Sequence, residues 1–442
     1  MSGLSLEIVL ASFKSVTAFA LLFSWTAALA WNRVFDNAFL SNMARVSKTM
    51  FLPCLTFHAI ANGVSPAFFK EQWVLSLAGI IVVIIGMIFG EACASMLRVS
   101  VAYRPWFVLA VSQPNMIALP LVLVEAICRE SEESHDSIAA CVDGATTRLF
   151  TVTLLNSLFF WTVVQAYVRF YTEHAKSQPS FNRIETGENE SLENGCTIDE
   201  ESESVKNHVV AAVSLGHAAI DQQSLSDEHI EASTNVAQPS LASNSASDKL
   251  PSGTLQRMCR SICAGLCEPP SIASIVGICF AFYAPAHGLL YGPQAPASFL
   301  ASVITVAGKA SPVAGALLTG GSFGLLLLRY KGSSESCLSV ESLGVSLRLI
   351  ICTAVMRIVI IPMACLALLA LTIDRLPEDN WSRLVLFFQP AGVTANVVSV
   401  LAQLSDLPDM AQFIAVATVP EIFLYVPTST FFIAFGMSWG RV

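Results

Sequence analysis

Apolar runs long enough to cross a bilayer, separated by short clusters of charge, dominate the chain. They fall at about residues 8–31, 47–64, 73–97, 106–128 and 147–171, then at about 270–291, 297–328, 343–373, 384–404 and 410–436. A spanning helix needs about 20 predominantly apolar residues, so each run predicts one. Runs such as Trp73 to Leu97 hold almost no charge, and their number excludes a single anchor. Between the two sets the pattern changes. From Glu173 to Glu268 the chain is rich in Ser, Glu, Asn and Gln, with almost no aromatic residue beyond Phe181. A segment of that composition buries too little apolar area to offset the entropy of ordering, which predicts disorder, with a transient helix over 209–220. The organisation is therefore a first membrane block at 1–172, an acidic loop at 173–268 and a second membrane block at 269–442.

Five runs precede the loop and five follow it. An odd number in each half makes the second block enter the membrane from the opposite side, which is the condition for an inverted-topology repeat. The fold class expected is an all-α polytopic membrane protein, with ten transmembrane helices forming two inverted five-helix repeats with broken crossing helices. Lys and Arg favour the cytoplasmic side of short loops. Arg33, Arg45 and Lys48, then Arg98 and Arg104, then Arg329 and Lys331 all follow odd-numbered runs and share a side with the central loop. The loop is thus expected in the cytosol, with both termini opposite.

Composition sharpens this picture. Residues are 54% hydrophobic and 13% charged, against about 25% charged in soluble domains. The net charge of -9 belongs to the loop alone, because Glu173 to Glu268 holds 15 acidic and 6 basic residues. Neither membrane block has the basic surface that nucleic-acid binding requires. Of the 12 cysteines, Cys54, Cys93, Cys279, Cys352 and Cys365 lie inside apolar runs and read as small packing residues. Cys128 and Cys141 flank a short acidic loop and can pair if it is extracytoplasmic. Cys259, Cys263 and Cys267 recur every four residues just before a span, which places them on one helix face at the membrane edge. A juxtamembrane helix is the plain reading, S-palmitoylation an alternative one. The segment ahead of the first run carries Glu7 and no Lys or Arg, Lys14 interrupts the run, and the run is long enough to span, so it reads as a retained helix rather than a signal peptide, despite Ala28-Leu29-Ala30.

The candidate chemistry lies where prolines interrupt two corresponding runs. Ser112-Gln113-Pro114-Asn115 stands in the fourth of the first five, and Gln389-Pro390-Ala391-Gly392, followed by Thr394 and Asn396, in the fourth of the second five. Each proline removes a backbone donor and breaks or kinks its helix. Within a bilayer the freed groups must be satisfied by protein or a water-filled cavity, which directs both breaks inward. Paired broken helices mark the midplane site of a transporter, where helix N-termini attract anions and helix C-termini attract cations. Glu91, Glu125, Arg148, Lys309, Arg348, Arg357 and Glu421 are ionisable residues within or near runs, and Lys309, among small neighbours, is the one expected to reach inward. His58 reads as a packed polar residue. Gly320-Gly321-Ser322-Phe323-Gly324 reads as close helix packing. Phosphate loops, zinc-binding His-Glu-x-x-His pairs and Gly-x-Ser-x-Gly elbows are absent from the sequence, so neither enzyme chemistry nor a cofactor or metal is expected.

With these features in place the chain resembles the auxin efflux carrier family, particularly its PIN-like branch. The resemblance rests on Phe51-Leu52-Pro53-Cys54-Leu55-Thr56-Phe57, on Asn115 to Leu121, on Pro269-Pro270-Ser271-Ile272-Ala273 with Gly277, on Gly308 through Pro312 to Gly320-Gly321, and on Pro390. It implies a carrier whose crossing helices meet at Pro114 and Pro390 and that moves organic anions by an elevator-like alternation. Asn115 would contact substrate, with Gln113, Gly392 and Val393 near it and Asn156 in the fifth helix. The sequence departs from the family at Ala118, where PIN-likes carry a second asparagine, and at Lys70-Glu71, which only loosely resembles an acid–lysine support pair. Both departures point away from auxin itself. The function expected is a secondary carrier for a small organic anion such as an indole or carboxylic acid, with Asn115, Gln113, Pro114, Pro390, Gly392, Val393, Asn156 and Lys309 as substrate-binding residues. The alternative is a membrane sensor or receptor that uses the same pocket and signals through the loop. The partners expected are the lipid bilayer, the organic anion, a kinase acting on the loop and a second copy of the chain, in the plasma membrane or endoplasmic reticulum.

Overall fold

The computed structural model describes residues 2–131, 135–176, 254–292, 294–332, 347–372, 380–405 and 407–439. One compact unit comprises residues 1–175 and 255–442. The second unit, Lys176–Thr254, lies almost wholly outside the described residues, as do residues 177–253 of the loop predicted to be disordered and the helix expected at 209–220. The two ends of that loop are helical instead, within Gln165–Lys176 and Thr254–Leu266, because each continues or abuts a membrane-block helix.

The described residues are helical and form no strand. The first block comprises α1 (Ser2–Trp31), α2 (Asn37–Val46), α3 (Leu52–Gly63), α4 (Pro66–Met96), α5 (Arg104–Ser112), α6 (Ala118–Ser131), α7 (His135–Phe159) and α8 (Gln165–Lys176). The second comprises α9 (Thr254–Leu266), α10 (Pro269–Phe282), α11 (Ala284–Tyr291), α12 (Ser298–Gly332), α13 (Leu347–Val355), α14 (Ile361–Leu371), α15 (Asn380–Phe388), α16 (Asn396–Leu404) and α17 (Pro408–Trp439). Among the described residues five stretches are long and apolar enough to cross a membrane: Pro66–Met96, Ala140–Glu173, Ser298–Arg329, Leu347–Leu371 and Asp409–Ile433. The bent pair Cys259–Leu266 and Pro269–Phe282 makes a sixth. Four of the ten apolar runs are not among them: the first counts only as the shorter helix Val16–Trp31, the second is divided by the π turn Ser47–Phe51, and breaks divide α5 from α6 and α15 from α16.

Three π-helical turns interrupt otherwise continuous helices: Ser47–Phe51 between α2 and α3, Phe160–Val164 between α7 and α8, and Met356–Ile360 between α13 and α14. Two of them lie just before a proline, Pro53 and Pro362. A proline cannot donate to the carbonyl of the preceding turn, and a local widening of the helix accommodates that loss.

Small residues let helices approach closely. On α12, a Cβ at Gly320 would lie 2.5 Å from the Phe23 carbonyl oxygen, and one at Gly324 2.2 Å from that of Ala27. The glycine cluster is thus the seam between α1 and α12, as its sequence predicts. Cys128 and Cys141 form a disulfide that joins α6 to α7, settling a pairing the sequence leaves open.

Polar side chains tie the helix ends on the side expected to face the cytosol. Glu268, at the start of α10, pairs with Lys48 at 2.8 Å and with Arg169 at 2.8 Å, and accepts from Gln165 Nε2 at 3.2 Å. Burial raises the pKa of this carboxyl, but Lys48, Gln165 and Arg169 together outweigh it and hold the group below its ordinary value. Glu91 accepts from Arg104 Nε at 2.7 Å and from Tyr167, and Arg329 pairs with Asp409 at 2.8 Å.

Candidate functional site

The two broken helices meet. Helix α5 ends at Ser112, and the backbone is already extended at Gln113, with φ -97° and ψ 100°. A residue before proline is pushed out of the helical region, so the break begins one residue ahead of Pro114. Helix α15 ends at Phe388, a 3₁₀ turn spans Gln389–Ala391, and the chain is extended again at Ala395 before α16. The Asn115 N–H donates to the Val393 carbonyl at 2.6 Å and the Ala395 N–H to the Gln113 carbonyl at 2.9 Å. Pro114 and Thr394 thus face each other in an isolated antiparallel bridge. The crossing partner of Pro114 is Thr394 rather than Pro390, because Pro390 sits in the 3₁₀ turn that closes α15. Gly392 is required by proximity: its Cβ would lie 3.0 Å from the Asn115 carbonyl oxygen.

Backbone groups freed by these breaks are met by buried charge. Arg357, fully buried in its π turn, donates Nε to the Gly392 carbonyl at 2.8 Å and Nη1 to the Val111 carbonyl at 3.3 Å. Glu421, fully buried on α17, accepts from the Thr394 N–H at 2.6 Å and from its hydroxyl at 3.0 Å. The same hydroxyl lies 2.8 Å from the Ala110 carbonyl, and Gln389 Nε2 donates to the Met116 carbonyl at 3.3 Å. A guanidinium therefore faces one carbonyl near the end of α5 and one in the second break, and a carboxyl group faces an N–H ahead of α16. Both match the sign of the helix ends they serve.

Beside the crossing lies a cavity of about 130 Å³. That is many times the roughly 10–15 Å³ that one water needs. Gln113, Pro114, Asn115, Met116 and Ile117 line one wall, and Ala395, Asn396 and Val397 another. Leu52, Leu55, Thr56, Ala59 and Ile60 of α3, Phe150 to Trp161 of α7 and its π turn, and Ser311 and Pro312 of α12 complete it. Met116 and Ile117, just ahead of α6, and Asn396 and Val397, at the start of α16, reach this space, and no side chain caps the first turn of α16. No lining residue is charged. Gln113 Nε2 and Asn156 Oδ1 are buried without a protein hydrogen-bond partner, while Asn156 Nδ2 lies 3.1 Å from Met116 Sδ. Lys48 Nζ stands 5.8 Å from the centroid of the Trp161 ring, a member of this lining.

Of the residues singled out by sequence, Gln113, Pro114, Asn115 and Asn156 line the cavity together. Gly392 and Val393 are buried behind it and act through the bridge and the Arg357 contact. Pro390 instead borders a separate apolar cleft formed with Trp73, Val82 and Cys365. Lys309 is exposed on α12 and does not line the cavity. Its neighbour Gly308 takes the inward contact, where a Cβ would lie 2.8 Å from Leu55 Cα. The next residue is turned about 100° around the helix. His58 is packed, with Nδ1 3.3 Å from the Tyr291 hydroxyl and 3.1 Å from Thr305 Oγ1. Among the residues that sequence reasoning left out of the site, Thr394, Arg357 and Glu421 hold the crossing and Asn396 lines the cavity. All four carried a signal, Arg357 and Glu421 as charges inside apolar runs, Thr394 and Asn396 as polar residues just after the second break.

An all-helical bundle with apolar spanning helices and an internal crossing defines an integral membrane protein, and the comparison with known proteins agrees. The family described as "Membrane transport protein" matches residues 16–429, and the chain belongs to that family, that of the auxin efflux carriers and PIN-likes. It is similar to Protein PIN-LIKES 6 of Arabidopsis thaliana, with 28% identity over 97 residues. That match spans 22% of this chain and 22% of the relative.

Proposed function

We propose that the protein is a secondary carrier moving a small organic anion by alternating access, built of ten spans in two inverted five-helix repeats. If α2 with α3, α5 with α6, α7 with α8, α10 with α11, α13 with α14 and α15 with α16 each count as one span, and α9 is set aside as a juxtamembrane helix, the helices group into five in the first block and five in the second. The fourth is the broken one in each set. The observation that carries the reading is the backbone bridge between those two breaks, at the edge of a cavity lined by the residues leading into α6 and by the start of α16.

Helix N-termini bring unpaired N–H groups and partial positive charge, which favour an anion over a cation. The amides of Gln113 and Asn156 supply directional hydrogen bonds. Leu52, Leu55, Ile60, Phe150 and Phe160 offer an apolar wall for the organic body of the same molecule. An uncharged lining recognises a carboxylate without binding it so tightly that release fails. Proteoliposomes containing the purified chain should show saturable flux of members of a panel of indole and aliphatic carboxylates. Binding of a panel member with no flux of any would refute the carrier reading and favour the sensor.

A further inference from the structure

Helix α9 precedes α10, and between Cys259–Leu266 and Pro269–Phe282 the axis turns by 63°. Gly265 fixes which side of α9 meets protein. A Cβ there would lie 2.3 Å from the Trp161 carbonyl oxygen and 2.9 Å from Thr162 Cα, so this face is pressed against the π turn at Phe160–Val164. At 3.6 residues per turn, Cys259 and Cys263 stand about 120° and about 160° around the helix from Gly265, in the same direction and on the uncovered side. Both are exposed and carry free thiols. Leu266 shares their arc and is 42% exposed, and Arg260, also exposed, borders it. Because α10 is apolar and enters the bilayer, a helix bent sharply away from it lies near the membrane plane. Its uncovered apolar arc then rests at the boundary between headgroups and acyl chains.

Competing uses of these cysteines are not supported by the geometry. Among the described residues no group of three or more His, Cys, Asp and Glu side chains is arranged to hold a metal. Cys259 and Cys263 are free rather than joined to each other or to Cys267. What remains is a pair of accessible thiols, one turn apart, on the membrane-facing arc of an amphipathic juxtamembrane helix with an adjacent cation.

We propose that Cys259 and Cys263 are S-acylation sites that accept a long-chain acyl group from an acyl-coenzyme A. The Sγ thiolate attacks the thioester carbonyl carbon and forms a new carbon–sulfur bond. The bond to the coenzyme A sulfur breaks, and coenzyme A leaves as the thiol, carrying the proton that the cysteine gave up. One thioester replaces another, so no oxidant or reductant is needed. The attached chain enters the bilayer beside Leu266 and fastens α9 to the membrane where the polypeptide enters its second block. This inference does not depend on what the protein transports.

Acyl exchange on the full chain expressed in eukaryotic cells tests it. Free thiols are blocked, thioesters are cleaved with hydroxylamine, and the thiols released are tagged with a maleimide polymer. The native chain should show hydroxylamine-dependent mass steps that disappear in the Cys259→Ser/Cys263→Ser variant and persist in Cys279→Ser. A native chain without any hydroxylamine-dependent step overturns the proposal, and so do steps that survive the double substitution. The native result alone is decisive if a variant fails to accumulate.

Discussion

At the scale of single residues, the crossing is held by four side chains, those of Arg357, Glu421, Thr394 and Gln389, that satisfy backbone groups at the two breaks. Thr394→Val keeps the side chain's shape but removes a hydroxyl shared by Glu421 and the Ala110 carbonyl. Leaving buried acceptors unmet costs about 1–3 kcal/mol, so the variant should melt at lower temperature in detergent. Arg357→Met strips the Gly392 and Val111 carbonyls of donors together. It should lower the melting temperature further, and an unchanged melt in both variants would contradict the bracing role. Arg357 and Glu421 were legible in the sequence as charges within apolar runs, where an unpartnered charge is costly. Their partners were not, since Arg357 bonds a carbonyl 246 residues away. Lys309 misleads for a related reason: small neighbours announce a close contact but not which of them makes it.

At the scale of elements, the broken helices were legible because proline acts on its own turn, wherever the rest of the chain lies. The register of their meeting was not, because it depends on how far beyond Pro390 the chain runs before turning extended. Packing around α16 gives a sharp test. A Cβ at Gly315 of α12 would lie 2.6 Å from the Asn396 side chain at the cavity wall. Gly315→Ala gains helix propensity of about 1 kcal/mol, yet displaces Asn396. The prediction is a helical, well-expressed protein with flux reduced several-fold, whereas native flux would show that the wall yields. Glu268 ties α10 to α8 and to the turn before α3. Its pKa is lower in the folded protein, so the stability it confers is present above the ordinary carboxylate pKa and lost as pH falls through the lowered value. Acidification through that range should lower the melting temperature of the native chain more than that of Glu268→Gln. Equal losses would show that the tie contributes nothing.

At the scale of the whole molecule, membrane class and helical architecture were legible from apolar run length alone, because the bilayer imposes that length on any spanning helix. The shape of the cavity was not, since its walls come from α3, α7, α12 and both breaks at once. Orientation follows from the distribution of Lys and Arg and has a direct check in Asn189-Glu190-Ser191, a glycosylation sequon in the central loop. With the loop in the cytosol, digestion with a glycosidase should leave the mobility of the protein unchanged. A glycan on Asn189 would reverse the proposed orientation. The central claim is that the bridge between two broken helices forms the site of a carrier, and flux through proteoliposomes tests it most directly. The account predicts saturable carboxylate flux that falls at least tenfold in Asn115→Ala and in Gln113→Ala, with both variants still folded. Flux that is undiminished in both would contradict it.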